Sequence, residues 1–323
     1  MNGSSIRAEH SQRPWLLSIS RVLFTRVTNF AHEPRRYSGR VDLGKVGIWF
    51  SGTWRVKDSP LDVAEEMAAL GYSTLWSSGR FEPGLSKHFE RQLATTTHLV
   101  VASGIVSIWP TSPQEISEAV ADLDDRYPGR FLLGLGASHA PVVADYTRPY
   151  SKMVSYLDAL DSAGPSVGKD RRVLAALGPR MLELAGERSA GAHPYFVPVE
   201  HTVRARALLG PGPLLAPEVT VVLERDPSKA RALARTFTGT YLGLPNYANN
   251  LRSLGFGDDD LAGGGSDRLV DAVVCWGDLD AITARVHDHH EAGADHVCIQ
   301  VIPATQGSFP LTEYRELSAA LVD

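Results

Sequence analysis

The sequence is poor in several features that would announce a function. Of 323 residues, only Cys275 and Cys298 are cysteines. Two lone thiols exclude a disulfide-stapled scaffold and a cysteine-rich zinc site, and they suit a reducing cytoplasm. In the N-terminal head, the apolar stretch Trp15–Ser20 stops at Arg21. It is too short to span a bilayer, and its flanks lack the order of a secretory signal. A basic surplus is also missing. The formal net charge is −5, which argues against a nucleic-acid binder. The chain has no Gly-x-Ser-x-Gly elbow, no Gly-x-x-x-x-Gly-Lys phosphate loop and no His-Glu-x-x-His zinc motif.

What is present is ordinary for a globular protein, with 43% apolar and 21% charged residues and enough length for a large core. The charge is uneven. Residues 1–42 carry seven Arg against Glu9, Glu33 and Asp42, a net of +4, so the remainder carries −9. That head reads as a poorly ordered extension or as residues upstream of the true start. The folded part is then expected to run from Leu43 to Asp323.

From Lys45 onward, short apolar runs alternate with helical patterns. The runs are Val46–Phe50, Ser73–Ser77, His98–Ser107, Arg130–Gly136 with its exit loop, Arg172–Leu177, Pro194–Val197, Pro217–Leu223 and Asp295–Ile302. Helices are expected between them. Ser112-Pro113-Gln114-Glu115 caps one, and Pro179 opens another at its first position. Residues 227–292 break the rhythm, with an irregular, mobile piece expected at 241–266 around Asp258-Asp259-Asp260 and Gly263-Gly264-Gly265. Eight strands, each followed by helix, predict an α/β fold: a single (β/α)₈ TIM barrel with an insertion after strand 7. Its active site should lie at the carboxyl ends of the strands.

Those strand ends offer few titratable groups. Exits one to six carry Ser, Gly, Arg, Pro and His with no evident acid pair, so glycoside chemistry has no basis. This pattern favours a reaction driven by a cofactor that the protein binds and orients. Gly134-Leu135-Gly136-Ala137-Ser138-His139 resembles a dinucleotide fingerprint for three residues only, although its glycines let a flat ring approach the backbone. Ala176-Leu177-Gly178-Pro179 opens a helix and reads either as an anion site or as an ordinary tight turn. Val199-Glu200-His201 is a second such start, with a Glu that competes with an anion. His287 and Glu291 share a helix face with His289 and His290 nearby, which reads as a solvated face; no metal is expected. Trp49 and Trp76 read as core, while Trp54 and Trp109, beyond strand ends, could wall a pocket.

At these strand ends the sequence resembles the luciferase-like monooxygenase superfamily, and most of all its actinobacterial branch that uses coenzyme F420, a deazaflavin. The segments that carry the likeness are Tyr127–Gly136, Gly104–Pro113, Ala192–Phe196 and Leu244–Leu251. The resemblance implies a non-prolyl cis peptide at Gly104–Ile105, forming a bulge behind the central ring of the cofactor. It also implies ring contacts from Ser78, Gly79, Gly104, Ile105, Ser107, Gly134, Gly136 and Ser138. The phosphate would lie near Ala176, Leu177, Gly178, Pro179, Val199 and His201. Relatives that oxidise sugar phosphates carry Asp-His after the second strand and Glu after the fourth. Here those positions are Gly79-Arg80 and Ala137, which puts that substrate in doubt.

His139 is then the nearest proton donor, and Arg80 could polarise a carbonyl or hold an anion. The implied protein is a cytoplasmic F420-dependent oxidoreductase that moves hydride to or from a small organic substrate, with residues 241–266 as a lid. A homodimer is expected from relatives. The alternatives are an FMN-dependent monooxygenase on the same fold and a non-catalytic deazaflavin or ligand binder.

Overall fold

Residues 39–51, 62–78, 85–305 and 308–322 are described by the computed structural model. The chain divides into two units, residues 1–35 and 36–323, and every described residue lies in the second. Most of the expected extension, with Trp54, Gly79 and Arg80, falls outside the described residues. Val41 and Leu43 are buried core residues, and Arg40 donates to the Gly212 carbonyl at 3.2 Å.

Strands and helices alternate along the chain. The strands are β1 (Val46–Ser51), β2 (Thr74–Ser78), β3 (Val100–Ser103), β4 (Val106–Ser107), β5 (Phe131–Gly136), β6 (Arg172–Leu174), β7 (Gly191–Ala192), β8 (Leu214–Leu215), β9 (Glu218–Val222), β10 (Val274–Trp276) and β11 (Val297–Val301). The helices are α1 (Val63–Ala69), α2 (Leu85–Ala94), α3 (Pro113–Arg126), α4 (Pro149–Ser162), α5 (Pro179–Arg188), α6 (Val199–Leu209), α7 (Pro227–Leu242), α8 (Pro245–Ser253), α9 (Asp258–Leu261), α10 (Asp267–Val273), α11 (Leu279–Glu291) and α12 (Leu311–Leu321). Their starts follow local chemistry. Ser112 and Glu115 form a capping box on α3, Asp62 and Glu65 form one on α1, and Pro occupies the first turn of α3, α4, α5, α7 and α8. A proline there forfeits no intrahelical bond.

Every strand pair is parallel, in the order β10-β9-β11-β1-β2-β3-β5-β6-β7-β8, with β4 beside β5. The path closes on itself at β9, beside the terminal β10, because β8 and β9 are one extended stretch. The amides of Leu214, Ala216 and Glu218 donate to the carbonyls of Ala190, Ala192 and Pro194 on one side. On the other side, Asp295 and Cys298 donate to Leu215 and Pro217. Pro217 has no N–H to return, so the stretch is broken there as a ladder but not as a wall. The sheet therefore closes through β11 back to β1, giving the (β/α)₈ barrel expected from the strand count. The helical insertion α7–α10 and the extra strand β10 follow strand seven.

Period-two alternation divides the strand side chains. Trp49, Trp76, Ala102, Leu132, Val173, Leu214, Ala216 and Cys298 form one buried cluster inside the barrel. Their neighbours Val101, Phe131, Leu133, Leu135 and Leu174 instead pack outward with residues of α2–α6. Each fully buried large apolar side chain contributes about 1.5–3 kcal/mol, so the wall is held from both faces.

Two expectations are corrected. The sixth strand is Gly191–Ala192 rather than Pro194–Val197, because Pro194 lacks a donor and Phe196 takes φ 58°, which no extended strand allows. Residues 241–266 are largely helical, in α8 and α9. Their acidic and glycine runs are pinned: Asp260 accepts from the Gly257 amide, the Ser266 hydroxyl and Arg268, and Thr238 donates to the Gly264 carbonyl.

Candidate active site

A cavity of about 390 Å³ opens at the carboxyl end of the barrel. Its floor comes from the third strand. Ala102 pairs with Leu132 and Val106 with Leu135, so one stretch advances four residues while β5 advances three. The extra residue makes a bulge at Gly104–Ile105, and that peptide bond is cis, the isomer implied by the resemblance. The bulge removes the backbone partner of Gly134, and the Ser103 hydroxyl replaces it. It accepts from the Gly134 amide at 2.7 Å and donates to the Gly134 carbonyl at 3.0 Å.

The glycines of β5 serve this bulge. A Cβ on Gly134 would lie 2.0 Å from the Ser103 carbonyl oxygen, and one on Gly136 would lie 2.5 Å from Ile105 Cδ1. A Cβ on Gly104 would meet the Trp49 indole nitrogen at 2.5 Å. Gly104, Ile105, Gly136, Ser138 and His139 all border the cavity, as do Ala176, Leu177 and Gly178 at the start of α5. Ser138 takes φ 58°, which turns the chain back over the cavity.

Other expected contacts lie elsewhere. Gly134 is buried behind the bulge, and Ser78, Ser107, Pro179, Val199 and His201 are not lining residues. The Ser107 hydroxyl lies 3.4 Å from the Trp109 amide. Pro179 is the first residue of α5, which has no side-chain cap. His201 is buried, and its Nε2–H donates to the Leu177 carbonyl at 2.9 Å. It thus steadies the α5 turn from behind. Trp109 gives its N–H to the Ala137 carbonyl and packs in the outer core, so it does not wall the cavity. Trp76 is interior core, as expected.

Sequence reasoning does not single out several of the lining residues. Trp49, expected in the core, borders the cavity with His193, Tyr195, Tyr241, Asn246 and Tyr247. The last two lie in the Leu244–Leu251 segment and come from α8, so the insertion walls the site. His193 stacks on Trp76 at 4.0 Å, and its Nδ1–H donates to the Ala216 carbonyl at 2.7 Å. Burial lowers its pKa to about 4, so the imidazole is neutral and Nε2 is an acceptor. That nitrogen and the Trp49 N–H are buried without partners among the described residues. Tyr195 donates to Gln300 Oε1 at 2.7 Å and accepts from Tyr241 at 2.9 Å. Inside the barrel, Glu218 is fully buried; burial raises its pKa to about 7 against hydrogen bonds from Thr220 and the Phe196 amide.

Among the described residues, the lining contains no Asp, Glu, Lys or Arg. No group of three or more His, Cys, Asp or Glu among them is arranged to hold a metal. The histidines of α11 diverge. His287 faces Glu291 at 3.8 Å on the exposed side, His289 meets the Thr202 hydroxyl, and His290 reaches the Ala294 carbonyl.

The fold is a parallel α/β barrel with its cavity at the carboxyl ends of the strands. Residues 52–164, about a third of the chain, match the family model described as luciferase-like monooxygenase. No curated protein matches the chain. Among solved structures, it is similar to an F420-dependent secondary alcohol dehydrogenase in complex with an F420–acetone adduct. That match has a TM-score of 0.65 and 15% identity, over 87% of this chain and 98% of that one. It is also similar to the coenzyme F420 dependent tetrahydromethanopterin reductase of Methanopyrus kandleri, with TM-score 0.59 and 15% identity over 87% and 99%. A third is the oxygenating constituent of 3,6-diketocamphane monooxygenase of Pseudomonas putida, in complex with FMN, with TM-score 0.61 and 13% identity over 86% and 98%. At such identities these matches establish the fold. Among the described residues, no helix is long and apolar enough to cross a membrane.

Proposed function

We propose that the protein is an F420-dependent oxidoreductase transferring hydride between the deazaflavin and a small, uncharged organic substrate. The observation that carries this reading is the cavity at the barrel mouth, floored by the Gly104–Ile105 bulge and free of charged side chains among the described residues. The residues present fit such a ring. The bulge and Gly136 offer a flat backbone surface, and the unpartnered Trp49 N–H and His193 Nε2 beside them suit a heterocycle whose edge alternates C=O and N–H. The first-turn amides of α5, beside Ala176–Gly178, suit a phosphate. Support for the deazaflavin branch comes from the quoted sequence segments, of which Ile105, His193, Tyr195, Asn246 and Tyr247 line the cavity.

When bound, the deazaflavin supplies two-electron hydride chemistry with little reactivity toward oxygen. The chain does the rest. Tyr195, Tyr241 and Tyr247 exclude water from one wall, and a dry site strengthens every polar contact within it. His139, which borders the cavity, would exchange a proton with the substrate. The missing Asp-His and Glu, together with the absence of charged side chains from the lining among the described residues, argue against a sugar phosphate. The test is titration of the purified protein with F420 and with FMN, monitored by fluorescence. Quenching by F420 at micromolar concentration supports the reading; quenching by FMN alone refutes it.

A further inference from the structure

Glu218 opens β9 inside the barrel and is 1% exposed. Among the described residues, no cation compensates its carboxyl; only the Thr220 hydroxyl and the Phe196 amide do. Its bonds converge on one short piece of chain. The Glu218 amide donates to the Pro194 carbonyl at 2.9 Å, and its Oε2 accepts from the Phe196 amide at 3.2 Å. The Thr220 hydroxyl donates to Oε1 at 2.5 Å and fixes the rotation of the carboxyl. One residue thus holds the chain on both sides of Tyr195. Phe196 takes φ 58°, a left-handed turn that a residue with a Cβ adopts only where its surroundings enforce it. Without the carboxyl oxygen, the buried Phe196 N–H would lose its acceptor.

That turn reaches the cavity in two ways. Tyr195 lines the cavity, lies 5.2 Å from Trp49 ring to ring, and bonds to Gln300 and Tyr241. Phe196 packs against the insertion: its ring stacks on Tyr241 of α7 at 5.2 Å and meets Tyr247 of α8 edge-on at 5.6 Å. Tyr241 and Tyr247 line the cavity as well. A further tie between α8 and the barrel mouth is the bond from His139 Nδ1–H to Asn246 Oδ1 at 3.0 Å. We propose that Glu218 is a positioning residue for the ligand-facing wall: by clamping the Phe196 turn it sets Tyr195 and, through Phe196, seats Tyr241 and Tyr247 against the bound ring. The clamp needs an oxygen at that reach rather than a charge. A protonated carboxyl still accepts from Phe196 through one oxygen and gives its own proton to Thr220 through the other. An apolar side chain would fill the same space but leave the Phe196 N–H unserved. The clamp does not depend on which ring binds; the ligand used in the second test below rests on the deazaflavin reading.

The first test is hydrogen–deuterium exchange of the full chain without ligand, comparing native, E218Q, E218D and E218A. E218Q keeps an oxygen acceptor at the same reach and can donate its N–H to Thr220. E218D keeps the charge but is one methylene too short. In E218D and E218A, amides of residues 195–197 and 241–251 should exchange at least about tenfold faster than native, with β3 and β5 unchanged, while E218Q stays within about threefold. The second test is F420 titration of the same four proteins. Kd should rise by about tenfold in E218D and E218A, the equivalent of one lost contact, and by less than about threefold in E218Q. Should E218A not fold, E218D against E218Q decides. Three results overturn the proposal: native-like exchange and affinity in E218D, a loss in E218Q that matches E218D, or faster exchange spread evenly over all strands with affinity unchanged. A native protein that does not bind F420 overturns the deazaflavin reading instead, and the exchange measurement still decides the clamp.

Discussion

Replacing Ser103 by Ala removes one oxygen from a fully buried site, and the loss should be far larger than the change in volume. The Ser103 hydroxyl makes two hydrogen bonds, both to Gly134, at 2.7 and 3.0 Å. They stand where the bulge has withdrawn the neighbouring backbone, so no other strand can take over. In S103A the Gly134 N–H and C=O are left unpaired in the interior, at about 1–3 kcal/mol for each unsatisfied group. Water does not reach them, since Ser103 is 0% exposed. A total of about 2–6 kcal/mol follows. At about 2–4 °C per kcal/mol in a domain of this class, the melting temperature should fall by at least about 4 °C in a thermal scan by circular dichroism. Ser103 immediately precedes Gly104 and Ile105, so F420 affinity should fall severalfold in the same variant. A melting temperature within about 1 °C of native, with unchanged affinity, would refute the claim that Ser103 secures the cavity floor.

Further outcomes follow from the same geometry. G136A places a Cβ against the end of Ile105; the side chain can yield, so stability should fall by only about 1 kcal/mol while F420 titration shows weaker binding. Y195F leaves Gln300 Oε1 without its donor and should cost about 1–2 kcal/mol in urea unfolding. The pH dependence has two opposing parts. His193, His201 and His296 have pKa values lowered to about 4, and His289 to about 3, by burial. Each contributes stability that is present above the unfolded value of about 6.5 and lost as pH falls toward 4. Glu218, raised to about 7 by burial, acts oppositely: it favours the fold at low pH and costs about 3 kcal/mol once pH passes 7. Stability in urea unfolding should therefore rise with pH between 4.5 and 6.5, because unfolding there takes up protons on net. E218Q should be more stable than native at pH 8, and equal stability there would contradict the burial argument.

Much of the scaffold is written locally. Ser112 with Glu115, and Pro179, mark helix starts by capping and proline chemistry, and α3 and α5 begin where those signals stand. Strand ends are less legible, because a closed barrel takes its partners from distant sequence. Phe196 turns left-handed against the Glu218 carboxylate, 22 residues away, and nothing near Pro194 announces it. The acidic run at 258–260 reads as loose until Ser266 and Arg268 are seen to hold it. Gly134 and Gly136 were legible as a close approach, but the approaching groups are Ser103 and Ile105 of the same sheet. His139 could be chosen from its place after a strand, whereas its partner Asn246 and the hidden pair Trp49 and His193 emerge only when the barrel closes and α8 folds over its mouth.

The central claim is that this cavity takes a deazaflavin and performs oxygen-independent hydride transfer. Parallel fluorescence titration of the purified protein with F420 and with FMN tests it most directly. The account predicts saturable quenching by F420, weakened in S103A and G136A, with FMN binding at least tenfold more weakly. Tight FMN binding with no response to F420 would contradict it.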